Sequence, residues 1–250
     1  MIEGTTVVDF HGHVGRWERY GMVDDQERRL HAMDAAGVDV ACVFNIFHPD
    51  GHTGNDETAA FVARQPNRFL GFAYVSPLMG RAAVAELERA VDILGFRGIK
   101  LYAPSTPYRI GDPAWDPIYA FADRRGLPVL HHTGQNAPPE DLAGVALRFP
   151  RAAFVAAHAG NTGSTRLQAI EAAHAAPNVY LETASTYRPP GDIEELADRV
   201  GTDRLLFGSD MPLMDPRSQI GRVITADLSD DAKRLILGDN ARRLLQLSRR

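Results

Sequence analysis

The sequence is poor in cysteine and in long apolar runs, and each shortage narrows the class of protein. Of its 250 residues only Cys42 is a cysteine, which excludes a scaffold held together by disulfides. Its longest apolar runs fall far short of the roughly 18 residues that span a bilayer. No charged segment followed by an apolar one opens the chain, so we expect a cytoplasmic protein with no membrane partner.

Charge of one sign is also not concentrated anywhere. The 27 basic and 32 acidic residues give a formal net charge of −5, and no block of five or six like charges occurs, so nucleic acid is not an expected partner. Lysine is rare as well, since only Lys100 and Lys233 occur beside many arginines. A lysine at an unusual position is therefore more informative here than an arginine would be.

Short β-branched or apolar segments alternate with segments of helical period along the whole chain. The predicted strands are Thr6–His11, Val38–Asn45, Phe69–Val75, Arg97–Tyr102, Pro128–His132, Ala152–His158, Val179–Thr183 and Arg204–Ser209. The predicted helices are Asp24–Ala36, Asp56–Arg64, Arg81–Leu94, Asp116–Arg125, Pro139–Phe149, Ser164–Ala175, Asp192–Val200, Pro216–Ile224 and Ser229–Leu247, the last with an N-terminal cap at Ser229.

This alternation predicts an α/β fold, a single (β/α)8 TIM barrel that takes up residues 1–250 as one domain. Strand onsets recur about every 25 to 32 residues, the size of one βα unit, and eight such units fill a barrel with few insertions. An open, doubly wound sheet is the competing fold. It favours a G-x-G-x-x-G motif after the first strand, where Phe10–Gly15 instead reads F-H-G-H-V-G.

Active sites of such barrels lie at the carboxyl ends of the strands, so the residues there are the candidates. The first strand ends in Asp9, His11 and His13, which simple alternation places on one face, where two imidazoles can bind a metal and the acid can orient a ring. The fourth strand ends in Lys100 and Tyr102 on one parity. Lys100 could hold a substrate anion, act as a base, bridge metals as a carbamate, or form a structural salt bridge.

The later strands add histidines and two carboxylates. Of His131 and His132 only one can face inward, and their flanks do not decide which. His158 has small neighbours on its own parity, Glu182 is most simply a helix-side salt bridge, and Asp210 stands at the tip of the last strand. Histidines and a carboxylate gathered at one end of a barrel favour zinc, with manganese or iron as alternatives, and a bound hydroxide as nucleophile.

The same residues carry a family resemblance. The motifs D-x-H-x-H, G-I-K-L, H-T-G, H-x-G and G-S-D-x-P occur in order at five strand ends, and I-L-G-D-N-A-R-R-L-L closes the chain. Together they resemble the amidohydrolase superfamily, and within it the amidohydrolase-related branch that includes aminocarboxymuconate semialdehyde decarboxylase and related hydrolases and lactonases. The resemblance covers nearly the whole chain.

The resemblance implies a role for each position. His11, His13 and Asp210 would bind one divalent metal, and the H-T-G register selects His132 rather than His131 as a further ligand. Asp210 would also carry a proton, and His158 would either polarise the water and substrate or complete a second metal site. Because one metal is usual in this branch, Lys100 would contact the substrate, and Tyr102 or Arg188 would help to hold a carboxylate.

From this we expect a metal-dependent hydrolase of a small carboxylated ester, lactone or amide. The alternatives are a decarboxylase or hydratase on the same metal platform, or a metal-independent lactonase. Decarboxylases of the branch carry long insertions after the first strand, whereas 24 residues separate His13 from Val38 here, which favours hydrolysis. The substrate and the oligomeric state, including a homo-oligomer, stay open.

Overall fold

Eight parallel strands, hydrogen-bonded to one another in chain order, form the centre of the molecule. A computed structural model describes residues 4–18, 21–23, 25–48 and 50–247. The strands are β1 Val8–His13, β2 Val40–Phe44, β3 Phe69–Tyr74, β4 Gly98–Leu101, β5 Pro128–His131, β6 Ala153–Ala156, β7 Val179–Glu182 and β8 Leu205–Leu206. The segment that begins with β8 returns to β1, where Phe10 N–H donates to the Phe207 carbonyl (2.9 Å) and Asp210 N–H to the His11 carbonyl (2.8 Å). The sheet thus nearly closes, and the predicted (β/α)8 barrel is confirmed.

Helices follow the strands and surround the barrel. They are α1 Gln26–Ala36, α2 His52–Arg64, α3 Ala82–Asp92, α4 Asp116–Arg125, α5 Leu142–Arg148, α6 Gly163–Ala175, α7 Asp192–Val200, α8 Pro216–Thr225, α9 Asp230–Arg234 and α10 Asn240–Leu244, with a π turn joining the last two. Ser229 caps α9 by accepting the Ala232 N–H at 3.2 Å, so the predicted cap is confirmed. Asp24, where the first helix was expected to begin, lies outside the described residues. Within the described ranges, no helix is both long enough and apolar enough to cross a bilayer.

The apolar core has two shells, which together leave one end of the barrel for polar residues. The larger shell lies between strands and helices, and a smaller one fills the barrel interior with side chains such as Phe10, Phe44 and Phe72. Leu245 of the C-terminal segment belongs to the same interior cluster as Val8, which begins β1. Apolar packing therefore occupies the amino end of the barrel, and the carboxyl end is available for a site.

Candidate active site

A cavity of about 700 Å³ opens at the carboxyl ends of the strands. Its inner lining consists of six polar side chains carried by or following five strands: His13, Lys100, Tyr102, His132, His158 and Asp210. Its outer wall includes Trp17 and Met22, which follow β1, and residues 211–216, which follow β8. The cavity therefore lies where barrel enzymes carry their chemistry.

A bulge in β1 brings both histidines of the first motif into the barrel. Asp9 pairs with Ala41 of β2, but the next pair joins Gly12 to Val43, so β1 has one extra residue in this interval. Phe10 belongs to the interior apolar cluster, and the His11 ring also lies inside, 5.3 Å from the ring centre of Phe44. Simple alternation is therefore broken, and the expectation that it places Asp9, His11 and His13 on one face is wrong.

Asp9 joins two strands and does not orient a histidine ring. Its Oδ1 accepts the backbone N–H groups of His11 (3.0 Å) and Ser209 (2.9 Å), and its carboxylate also accepts the Ser209 hydroxyl. Burial raises the pKa of Asp9 to about 6, although the hydrogen bonds from Ser209 and His11 act in the opposite direction. Asp9 thus holds β1 against the segment that carries Asp210.

The carboxylate that orients a ring is Glu182, at the end of β7. Its Oε2 lies 2.8 Å from Nδ1 of His11, and both side chains are fully buried. The expectation of a helix-side salt bridge for Glu182 is therefore wrong. The strand alternation contained the signal, because Val179 and Leu181 pack in the outer shell, which leaves Tyr180 and Glu182 for the interior.

Asp210 approaches both histidines of β1. Its Oδ1 lies 2.8 Å from Nε2 of His13 and 3.3 Å from Nε2 of His11. Its backbone has a φ of 61°, in the left-handed region, and its N–H is bound to the His11 carbonyl. Burial by itself would raise the pKa of Asp210, but the hydrogen bond from His13 and nearby cations hold it below its usual value, which favours the carboxylate.

These three side chains have the donors that a divalent metal requires. One ligand atom from each of His11, His13 and Asp210 lies within 4.8 Å of the other two. Burial lowers the pKa of both histidines, so their rings are neutral at neutral pH, the form that binds metals. Nδ1 of His13 is buried and has no hydrogen-bond partner among the described residues, which leaves Nε2 as its one polar contact. Two neutral imidazoles and a carboxylate fit zinc or manganese.

His132 faces the cavity and its neighbour His131 faces the helices. Nε2 of His131 lies 3.2 Å from the Tyr119 hydroxyl, and its ring packs edge-on against Trp115 at 5.5 Å. Nδ1 of His132 lies 3.2 Å from Nε2 of His158, and its ring is 4.8 Å from that of Tyr102. His132 does not belong to the close ligand groups formed by His11, so its role as a metal ligand stays a prediction.

His158 is fixed by the segment that follows β7. Its Nδ1–H donates to the Ala184 carbonyl (2.8 Å), which directs Nε2 towards His132. Its backbone has a φ of 65°, a left-handed conformation that costs energy in residues other than glycine. Burial lowers the pKa of His158 to about 4, although Asp210 favours its charged form, so the ring is neutral at neutral pH.

Lys100 is the one cationic side chain in the inner lining, and it is 1% exposed. Its Nζ lies 3.2 Å from Nε2 of His11 and 4.7 Å from the ring centre of Phe44. Burial lowers the pKa of Lys100 to about 8, while Asp210 and Glu182 act to raise it. A buried ammonium next to an open cavity can neutralise a bound anion.

Arg188 does not reach the cavity. It is exposed and does not line the walls, and its contact with the substrate stays a prediction. An arginine that the sequence did not suggest lies closer. The Arg29 guanidinium on α1 is buried, lines the cavity and donates to the His13 carbonyl. Arginine on an amphipathic helix normally indicates a solvated face, so no sequence signal distinguished Arg29.

Comparison with known proteins identifies the family. The amidohydrolase family model matches residues 8–247, and the chain therefore belongs to that family. Among curated proteins, the gamma-resorcylate decarboxylase of Rhizobium radiobacter is 25% identical over 300 aligned residues, which cover 93% of this chain and 90% of that protein. The decarboxylase OrsB of Emericella nidulans is 32% identical over 118 residues, which cover 44% of this chain and 36% of that protein.

Solved structures share the fold. The 5-carboxyvanillate decarboxylase of Sphingomonas paucimobilis superimposes with a TM-score of 0.81 at 18% identity and covers 98% of this chain and 100% of its own. The manganese-bound 5-carboxyvanillate decarboxylase of Novosphingobium aromaticivorans gives 0.81 at 16% identity, with 98% of both chains covered. At these identities the likeness establishes the fold alone.

These findings correct the predicted reaction. The gamma-resorcylate decarboxylase that matches over nine-tenths of the chain is a lyase, so the expectation of a hydrolase of an ester, lactone or amide is wrong. What stands is an enzyme of the amidohydrolase superfamily. Zinc is also not singled out, because manganese is the metal in the structure of a relative.

Proposed function

We propose that this protein is a metal-dependent decarboxylase of a small aromatic carboxylic acid. The observation that carries the proposal is the cluster at the inner end of the cavity, where the buried Lys100 ammonium lies 3.2 Å from Nε2 of His11 and the Asp210 carboxylate contacts both His11 and His13. A cation and a metal-type donor set at one point suit an anionic substrate. The decarboxylases matched over about nine-tenths of the chain support this reaction and an aromatic acid as its substrate.

Four residues are proposed to hold one divalent metal. They are His11, His13, His132 and Asp210, with manganese or zinc as the ion. When bound, such an ion is a Lewis acid that fixes the substrate and withdraws charge from it. Glu182 keeps the Nδ1–H of His11 occupied, so Nε2 of that ring is the ligand atom.

The remaining chemistry belongs to the side chains. Loss of CO2 from an aryl carboxylate requires a proton at the ring carbon that bears the carboxylate. The carbon–carbon bond then breaks, CO2 leaves, and the electron pair of that bond restores the aromatic ring. Asp210, a carboxylate in the free protein, takes up a proton from solvent and passes it to that ring carbon, and His158 presents Nε2 to the cavity because its Nδ1–H is held by Ala184. Lys100 and Tyr102 bind the substrate from the β4 side of the cavity.

The test is release of CO2 by the purified protein loaded with Mn²⁺. Substrates are 2,6-dihydroxybenzoate and 5-carboxyvanillate, with CO2 measured by a coupled assay and the decarboxylated phenol by chromatography. Asp210→Asn should lower the rate about 100-fold or more, since a general acid contributes about 10²–10⁴. Asp203→Asn, an exposed aspartate ahead of β8, should keep the wild-type rate. The proposal is wrong if no aromatic acid releases CO2, or if Asp210→Asn matches the wild type.

A further inference from the structure

Glu182 receives three hydrogen bonds from three different parts of the site. Its Oε2 lies 2.8 Å from Nδ1 of His11 and 3.1 Å from the backbone nitrogen of His158, and its Oε1 accepts the Ala184 N–H. The two backbone groups are donors by necessity. When the Nδ1–H of His11 is the third donor, both oxygens of the carboxylate act only as acceptors, as an ionised carboxylate requires.

A glycine on the neighbouring segment leaves room for the Glu182 carboxylate. Gly208, in the segment after β8, faces it so closely that an added Cβ would lie 2.0 Å from Oε1 and 2.5 Å from Cδ of Glu182. A side chain at position 208 would therefore displace the carboxylate from its three donors. Gly208 after β8 and Glu182 at the end of β7 are therefore packed directly against each other.

Glu182 acts on two functional residues at once. Through Nδ1 of His11 it sets the tautomer that leaves Nε2 without a proton, and that Nε2 lies 3.2 Å from Nζ of Lys100 and 3.3 Å from Oδ1 of Asp210. Through the His158 backbone N–H it helps to hold a φ of 65°, while the Ala184 carbonyl holds Nδ1 of the same residue at 2.8 Å. The Glu182 side chain is not among the residues that line the cavity.

We infer that Glu182 is a positioning residue, which fixes the metal-binding tautomer of His11 and the cavity-facing orientation of His158 through one buried carboxylate. The inference rests on the ligand set proposed above, but it does not depend on the decarboxylation itself. Outer carboxylates of this kind typically change metal affinity about 10- to 100-fold when they are replaced.

Glu182→Gln tests this inference because the amide keeps the size of the side chain. An amide has one acceptor oxygen, so its NH2 must face either Ala184 N–H or the pair formed by His11 and His158. The first orientation sets the NH2 against the Ala184 N–H, and the second sets it against the His158 N–H and forces the other tautomer on His11. We expect Glu182→Gln to bind Mn²⁺ about 10- to 100-fold more weakly than wild type in a calorimetric titration of the metal-free protein.

Glu86 provides a matched control on the outside of the barrel. It is a glutamate of similar burial, 6% exposed, and its Oε2 lies 2.8 Å from Nδ1 of His52. Its oxygens also accept hydrogen bonds from Asn55 and Arg89. Glu86→Gln therefore alters a buried carboxylate that contacts an exposed histidine outside the cavity, and its Mn²⁺ affinity should stay within about twofold of wild type.

The tautomer itself can be measured without substrate and without any variant of Glu182. Long-range ¹H–¹⁵N spectra of the metal-free wild type should show His11 with its proton on Nδ1, with His11→Asn used to assign the ring. The inference fails if His11 carries its proton on Nε2, or if a folded Glu182→Gln binds Mn²⁺ like wild type. It also fails if Glu86→Gln loses as much affinity, or if the wild type binds no Mn²⁺. Absence of CO2 release would refute the proposed reaction and leave this inference intact.

Discussion

The buried His131 should make the stability of the protein depend on pH in a way that can be isolated. Burial lowers the pKa of His131 to about 3, although its hydrogen bond to the His132 carbonyl acts in the opposite direction. In the unfolded chain the ordinary pKa of histidine is about 6.5. Because the folded pKa is the lower one, the stabilising effect is complete above pH 6.5 and is lost as the pH falls.

The size of the effect follows from the two pKa values. At pH 5 the unfolded chain holds a proton on this ring and the folded protein does not. A proton released on folding costs about 1.4 kcal/mol for each pH unit below 6.5, which gives about 2 kcal/mol at pH 5 and close to zero at pH 7. Against a typical total stability of about 5–15 kcal/mol, this is a large share.

The assay is urea denaturation of chelator-treated protein at pH 7 and at pH 5, for wild type and for His131→Gln. Glutamine keeps a polar contact for the Tyr119 hydroxyl but does not titrate. The free energy of unfolding of wild type should fall by about 2 kcal/mol more than that of the variant between these two pH values. Other titrating groups are common to both proteins and cancel in the comparison.

Val129→Ala, in the same strand, serves as the control. Val129 is fully buried, and its truncation should lower stability by a similar amount at both pH values, since no proton is involved. The reasoning would be refuted if His131→Gln showed the same pH dependence as wild type. It would also be refuted if the variant lost more stability than wild type as the pH fell.

Two further predictions concern the glycine beside Glu182 and the metal. Gly208→Ala should lower the free energy of unfolding by about 2 kcal/mol, because its Cβ would overlap the Glu182 carboxylate, whereas Gly144→Ala in α5, with open space around its Cβ, should raise it slightly. Urea denaturation compares the two, and equal effects would contradict the argument. Mn²⁺ at about 100 times its dissociation constant should stabilise the protein by about 2.7 kcal/mol, measured as a rise in the urea midpoint. No rise at any Mn²⁺ concentration would exclude the proposed metal site.

The fold could be predicted because it depends on a local property of the sequence. Each strand is a short apolar segment, and each helix has its own period, so eight repeats are visible without any knowledge of contacts. The first strand shows the limit of prediction from local sequence patterns. It was expected at Thr6–His11 and is observed at Val8–His13, and the bulge between Asp9 and Gly12 has no local signature in the residues themselves.

The site was less predictable because its pairings join distant segments. His131 and His132 have apolar neighbours on both sides, so the sequence does not show which ring faces the cavity. In the structure the Tyr119 hydroxyl on α4 contacts the ring of His131 and not that of His132. Glu182 was expected to face the helices although the alternation along β7 placed it inside, and the partner that explains its burial, His11, is 171 residues away in the chain. Strand alternation narrows such choices, but the hydrogen-bond partner decides them.

The prediction of a hydrolase was wrong because it relied on the length of one segment. The short segment after His13 argued against decarboxylation, on the view that the missing insertion is part of the chemistry. The aligned gamma-resorcylate decarboxylase does carry additional residues, since 300 aligned positions occupy only 93% of this 250-residue chain. The polar side chains of the inner lining, however, all come from strand ends and the residues directly after them. The segment after β1 contributes Trp17 and Met22 to the outer wall of the cavity, so a shortened segment there would change the mouth and leave those strand ends in place. We therefore expect segment length to govern which acids enter the cavity, and His13, Lys100 and Asp210 to govern what happens to them.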